Sequence, residues 1–128
     1  MEIIRIVILS LSGLMLVFVG VMRLSNPIKT YLKSSGIKLE NDASLLNEMR
    51  GVSAVMLCSG VIILLGIFIG KLSFTSHFVA SLLFIGFAIG RLISLKTDGK
   101  PSKQITQGIL FELVLGATNV FCLINIWE

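Results

Sequence analysis

Charge is scarce in this chain. Asp, Glu, Lys and Arg make up 14% of its 128 residues, and hydrophobic residues make up 55%. With a mean hydropathy of +0.96, a soluble domain of this size could not hide its apolar surface, because small domains have too much surface for their volume. The solvent must therefore include a bilayer, and the length allows one domain. Cysteine is almost missing. Cys58 and Cys122 both lie inside hydrophobic runs, and their positions relative to the expected membrane edges put them roughly 8–10 Å apart in depth. A disulfide between them would be strained, so both read as small apolar fillers. Histidine occurs once, at His77, beside Ser73, Thr75 and Ser76. No second His or Cys stands at coordinating spacing, so no metal is expected and His77 reads as an interfacial residue. The chain also lacks a phosphate-binding glycine loop, a nucleophile elbow and a zinc-protease helix. No cofactor is implied. Basic residues outnumber acidic ones by 11 to 7, but they gather in two connections and form no basic arm, which excludes nucleic acid as a partner.

What the chain has instead is four long apolar runs. The first, about 3–23, is interrupted only by Arg5, and about 20 apolar residues suffice to cross a ~30 Å hydrocarbon core. Glu2 spoils the basic start of a secretory signal, and no small-residue cleavage site precedes Arg23, so this segment is expected to be retained. Gly13 and Gly20 fall on one of its faces and suit close packing. Asn26-Pro27 then reads as a helix start, with the amide as cap and proline in the first position. Ile28, Tyr31 and Leu32 are expected to share a face, and Gly36 to end a short amphipathic segment at the interface.

The second span, about 43–70, begins at Asp42 or Ser44 and ends with a small-residue pair, Gly66 and Gly70. The link to the third span is so short that the two must be antiparallel neighbours. Ser73 or Thr75 is expected to cap the third span, about 74–95, and Gly86 and Gly90 form another small-residue pair. Asp98-Gly99 and Pro101 mark a turn. The fourth span, about 103–127, ends at Trp127, a residue suited to an aromatic belt. The fold class is all-α: an integral membrane four-helix bundle, residues 1–128, with a short interfacial amphipathic segment between helices 1 and 2.

Four spans put both termini on one side. The other side carries Arg23, Lys29, Lys33, Lys38, Arg50, Arg91, Lys96, Lys100 and Lys103, against Arg5 and Lys71. Positive charge favours the inside, so loops 23–42 and 96–102 are expected in the cytoplasm and both termini outside a bacterial cytoplasmic (inner) membrane.

The fourth run holds an anomaly, a carboxylate at Glu112. Gly108, Glu112, Gly116 and Asn119 share a helical face, while Ile109, Leu113, Val120 and Ile124 are expected to face lipid. Glu112 lies roughly 13 Å along its helix, where an unpaired charge costs about 2.5–3.5 kcal/mol. A partner is required. Arg91 is the first choice and Arg50 the second, with Arg23 and Glu48 at the same end of the bundle. Glu48 and Arg50 lie about 200° apart on their helix, so they cannot both face one neighbour. Glu48, Arg50, Arg91, Glu112, Arg23 and Asn119 thus form a candidate polar cluster confined to one leaflet, with no catalytic or metal role assigned.

Three readings of the cluster stand. It is a buried ion-pair network that sets helix register, a site for an anionic headgroup, phosphate or isoprenoid-type lipid, or part of a proton or ion path. Membrane lipids are the expected partners, and the glycine faces suit a homo-oligomer or a membrane partner subunit. Function at this point is that of a small membrane protein whose Glu/Arg cluster is structural or binds a headgroup or partner. The alternatives are an accessory subunit of a redox or transport complex, or a small enzyme using Glu112 as acid or base.

Asn47-Glu48-Met49-Arg50-Gly51, Gly90-Arg91 followed by Asp98-Gly99-Lys100-Pro101, and Glu112 followed by Gly116 resemble the motif positions of a domain-of-unknown-function family. Its members are small four-span bacterial membrane proteins, similar in layout to the DoxX-like group. The resemblance covers nearly the whole chain and implies four helices in an inner membrane. It implies no activity.

Overall fold

In the computed structural model, residues 2–127 are described. Five α-helices follow one another: α1 (Glu2–Ser25), α2 (Pro27–Ser35), α3 (Ala43–Phe68), α4 (Ser73–Asp98) and α5 (Lys103–Trp127). A 3₁₀ turn, Gly70–Leu72, joins α3 to α4. Four of the helices, all but α2, are long and apolar enough to cross a membrane. Their outward faces are apolar too: Phe18, Leu82 and Leu110 are 67%, 62% and 63% exposed. Such a surface is stable only against lipid. The protein is a four-span membrane bundle. The belt position expected of Trp127 concerns a side chain outside the described residues.

Local chemistry explains the boundaries. The Asn26 side chain accepts a hydrogen bond from the Lys29 N–H at 3.3 Å, ahead of Pro27 in the first helical position. Gly36 ends α2 in the left-handed region at φ 69°, and its N–H bonds the Leu32 carbonyl at 3.2 Å, a conformation that suits a residue without Cβ. The buried row of α2 is Pro27, Tyr31 and Ser35. Leu32, expected on that face, sits one residue (about 100°) round the helix and is exposed. Asp42 caps α3 by accepting from the Ser44 N–H at 3.3 Å. At the start of α4 no side chain caps the helix. The Ser73 hydroxyl expected there instead accepts from Arg5 Nη1 at 2.8 Å and lies 3.4 Å from the Gly66 carbonyl.

The closest packing joins α1 to α3. A Cβ placed on Gly20 would stand 2.8 Å from the Leu57 backbone nitrogen and 2.9 Å from the Ser53 carbonyl oxygen. One placed on Gly60 would stand 2.9 Å from the Gly13 carbonyl oxygen. Here two backbones meet without intervening side chains, as small residues permit. Leu9, Leu16, Met56, Ile63, Ala80 and Phe84 fill the core beside this contact. The other glycine pairs behave differently. Gly66 lies against Ser76, while Gly70, Gly86 and Gly90 have nothing near them, so neither expected small-residue pair packs as a pair inside the bundle. The α4–α5 and α3–α4 contacts are also extensive, whereas α1 and α5 meet only sparsely and leave a seam. Both cysteines are free; Cys122 is a buried filler, but Cys58 faces outward.

Gly20→Ala is expected to destabilise the bundle by about 1–3 kcal/mol, the usual range for overpacking. Gly86→Ala, in open space, is expected to be neutral or slightly stabilising through helix propensity. Thermal unfolding of both variants in mild detergent checks the contrast.

Candidate functional site

Arg91 lies seven residues before the end of α4, and Glu112 lies nine residues into α5. Both are thus roughly 10–14 Å from the connecting turn, and antiparallel pairing sets them level. Arg91 Nε is 2.7 Å from Glu112 Oε1, with the two side chains 32% and 8% exposed. The N–H does not point along this line, so the contact is an ion pair and not an aligned hydrogen bond. The partnership expected from depth and charge is present.

Arg23, in the last turn of α1, joins them from the opposite side. Its guanidinium lies over the Tyr31 ring, 4.4 Å from the centroid, and Nη2 donates to Ser35 Oγ at 3.4 Å. Its Nε is buried and without a partner. Among the described residues, no carboxylate pairs with Arg23. Arg23, Arg91 and Glu112 line a cavity of about 100 Å³ whose other walls are mainly apolar, including Leu16, Met56 and Phe84. Two arginines against one glutamate leave one formal positive charge there. Buried charge of that kind calls for a counter-charge.

Two of the expected members are elsewhere. Arg50 Nη1 donates to the Leu24 carbonyl, one of the free acceptors at the C-terminal end of α1, where a cation is favoured. Glu48 is exposed and borders a separate groove of about 460 Å³ with Asn47, Gly51, Leu83 and Phe87. The inward row of α3 runs through Ser53, Met56, Gly60 and Ile63. Extended backwards by one turn it passes Met49, and Glu48 and Arg50 fall to either side of it.

Asn119 also departs from the cluster. It lies seven residues beyond Glu112, about 10 Å further along α5, and anchors a second polar group. Its Nδ2 donates to Ser12 Oγ at 2.9 Å and to the Leu115 carbonyl at 2.8 Å. That leaves Oδ1 to accept from His77 Nδ1 at 3.0 Å, which assigns the proton to Nδ1. Ser12, His77 and Asn119 are all fully buried. His77 is therefore an interior residue and not an interfacial one, and buried polarity is not restricted to one leaflet. A signal existed in the sequence: His77, Ser81, Phe84 and Ala88 fall on one helical row, and all four are buried. Further out, Arg5 donates to Ser73 Oγ at 2.8 Å and to the Gly66 carbonyl at 3.0 Å, and pairs with Glu2 at 2.5 Å.

Ile109, expected to face lipid, is 6% exposed. Among the described residues, no group of three His, Cys, Asp or Glu side chains could hold a metal ion.

A family profile described as a domain of unknown function, DUF4345, matches residues 4–123. The chain belongs to the DUF4345 family. The match takes in every residue of the Arg23–Arg91–Glu112 cavity and of the Ser12–His77–Asn119 network, so both polar groups lie inside the DUF4345 domain. No curated protein and no solved structure matches the chain.

In this DUF4345 protein, Arg91→Leu leaves Glu112 without its ion partner. The expected loss is about 2 kcal/mol, less than the 3–5 kcal/mol typical of a fully buried pair because Arg91 is one-third exposed. The double variant Arg91→Leu with Glu112→Leu is expected to recover part of that loss. Detergent unfolding of the three proteins measures both effects.

Proposed function

We propose that this protein binds the anionic headgroup of a membrane lipid in the Arg23–Arg91–Glu112 cavity. The observation that carries the reading is charge balance. Glu112 forms an ion pair with Arg91, while Arg23, on the same cavity, has a buried Nε without a hydrogen-bond partner and makes no ion pair of its own among the described residues. The second arginine leaves the cavity one positive charge in excess, and a bound anion balances it. The apolar walls formed by Leu16, Met56 and Phe84 suit the portion of an amphiphile next to its charged group. Arginine also suits the task, because its planar fork matches phosphate and carboxylate oxygens.

We assign the cavity to the cytoplasmic leaflet of a bacterial inner membrane. The support is the distribution of the 11 Lys and Arg residues. Nine belong to the end of the bundle that holds the cavity, and only Arg5 and Lys71 to the end with the termini. The positive-inside rule then sets both termini outside.

Native mass spectrometry of the gently extracted protein tests the binding. The wild type is expected to retain an anionic lipid, and Arg23→Gln to lose it by about tenfold in occupancy, the equivalent of one charge-assisted contact. A wild-type protein that carries only zwitterionic lipid, or none, would overturn the reading.

A further inference from the structure

We infer that the ligand of this cavity is a singly charged phosphodiester lipid that reaches it sideways from the bilayer, through the seam between α1 and α5. This inference rests on the headgroup reading above and adds the ligand's charge class and its route.

The size of the cavity comes first. At about 100 Å³ it is smaller than the ~150 Å³ cavity that admits benzene. It accommodates a phosphate-sized group and no acyl chain. The remainder of an amphiphilic ligand must then project from the bundle, either towards water past α2 or towards lipid between two helices.

The aqueous route is obstructed by α2. Pro27 and Tyr31 of α2 are buried under the bundle, and the Tyr31 ring lies against the Arg23 guanidinium. The end of α2 is fastened to the α4–α5 connection, where Ser102 Oγ donates to the Ser35 carbonyl at 2.7 Å. The Ser35 hydroxyl in turn accepts from Arg23. These contacts fasten α2 between the end of α1 and the start of α5, beside Arg23, so a ligand approaching from water at this end has to pass it.

The lipid route is the more loosely packed. α1 and α5 touch sparsely, and both contribute walls: Met15, Val19 and Arg23 from α1, Gly108 and Glu112 from α5. A Cβ built on Gly108 would meet nothing within 4 Å, so space remains beside α5 one turn before Glu112. Further along, the seam is bridged by the Asn119–Ser12 hydrogen bond, which limits the opening to the α2 end.

Charge sets the class. With Glu112 ionised against Arg91, the cavity offers one net positive charge. A phosphodiester carries one negative charge and balances it. A phosphomonoester that has lost both protons overshoots by one, and a second uncompensated charge in a low-dielectric site is costly. A zwitterionic headgroup brings an ammonium that has no partner beside two arginines.

The test uses full-length protein in mild detergent with phosphatidylglycerol as the lipid probe and glycerophosphoglycerol, the same phosphodiester without acyl chains, as its soluble counterpart. Occupancy is read by native mass spectrometry. Phosphatidylglycerol is expected to bind, and glycerophosphoglycerol at equal concentration to compete at least about tenfold less well. Gly108→Leu, which fills the opening and leaves every charge in place, is expected to lower phosphatidylglycerol occupancy by about tenfold, and Gly108→Ala by less than about twofold. A phosphatidylglycerol analogue with a photoactivatable acyl chain is expected to label peptides of α1 and α5 in the unmodified protein, so the route is tested even if Gly108→Leu misfolds.

Labelling confined to α3 and α4, or wild-type occupancy in a folded Gly108→Leu protein, would refute the lateral route. If Arg23→Gln still abolished binding in that case, the headgroup site would stand without it. Equal competition by glycerophosphoglycerol would point to an aqueous route and also refute the inference. If Arg23→Gln bound phosphatidylglycerol as the wild type does, the headgroup reading itself would fall, and the route with it.

Discussion

Hydrocarbon solvates no charge, and this constraint governs the arrangement around Glu112. A carboxylate nine residues into α5 has to meet a cation at its own depth, and the α4–α5 hairpin supplies one 2.7 Å away. The contact also fixes a register. Sliding α5 by a single turn would carry Glu112 about 5.4 Å past Arg91 and leave both groups unpaired. Once that pair is made, Arg23 adds a second cation to the same cavity, held by the Tyr31 ring and the Ser35 hydroxyl and not by a carboxylate of its own.

Much of this architecture was legible because its causes are local. Span length follows from apolar run length, and the ends of α2 follow from Asn26, Pro27 and Gly36 acting on their own neighbours. The Arg91–Glu112 pair was also readable, since depth along two antiparallel helices can be counted from the turn between them. Membership of the rest of the cluster was not. Glu48 and Arg50 are at the correct end of the bundle, but whether they enter the core depends on the inward row of α3, set by Met56 and Ile63 packing against other helices. Asn119 shares a face with Glu112, yet that face spans enough length to serve two separate polar groups. His77 stands among serines and a threonine, which in one dimension resembles a membrane edge. Its hydrogen-bond partner is Asn119, 42 positions away, and that is a tertiary fact.

The bundle divides its packing unequally. α1 and α3 approach until their backbones touch at Gly13, Gly20 and Gly60, and dispersion between close surfaces is the main force available to helices already surrounded by lipid. The α1–α5 seam has no such contact along most of its length. A polar contact bridges it, from Asn119 to Ser12. Stability and access are thereby assigned to different helix pairs, so that an opening on one side need not loosen the other.

The hydrogen bonds of α1 have a consequence for assembly. Arg5 finds its neutral partners at Gly66 and Ser73, and Ser12 finds Asn119 across 107 positions of sequence. The first of these five helices in chain order thus has a buried hydroxyl that only the last of them answers. Until α5 is in the membrane, α1 carries an unmatched hydroxyl and lacks one wall of its groove. Completion of this small bundle is a non-local event, gated by loop closure over almost the entire chain.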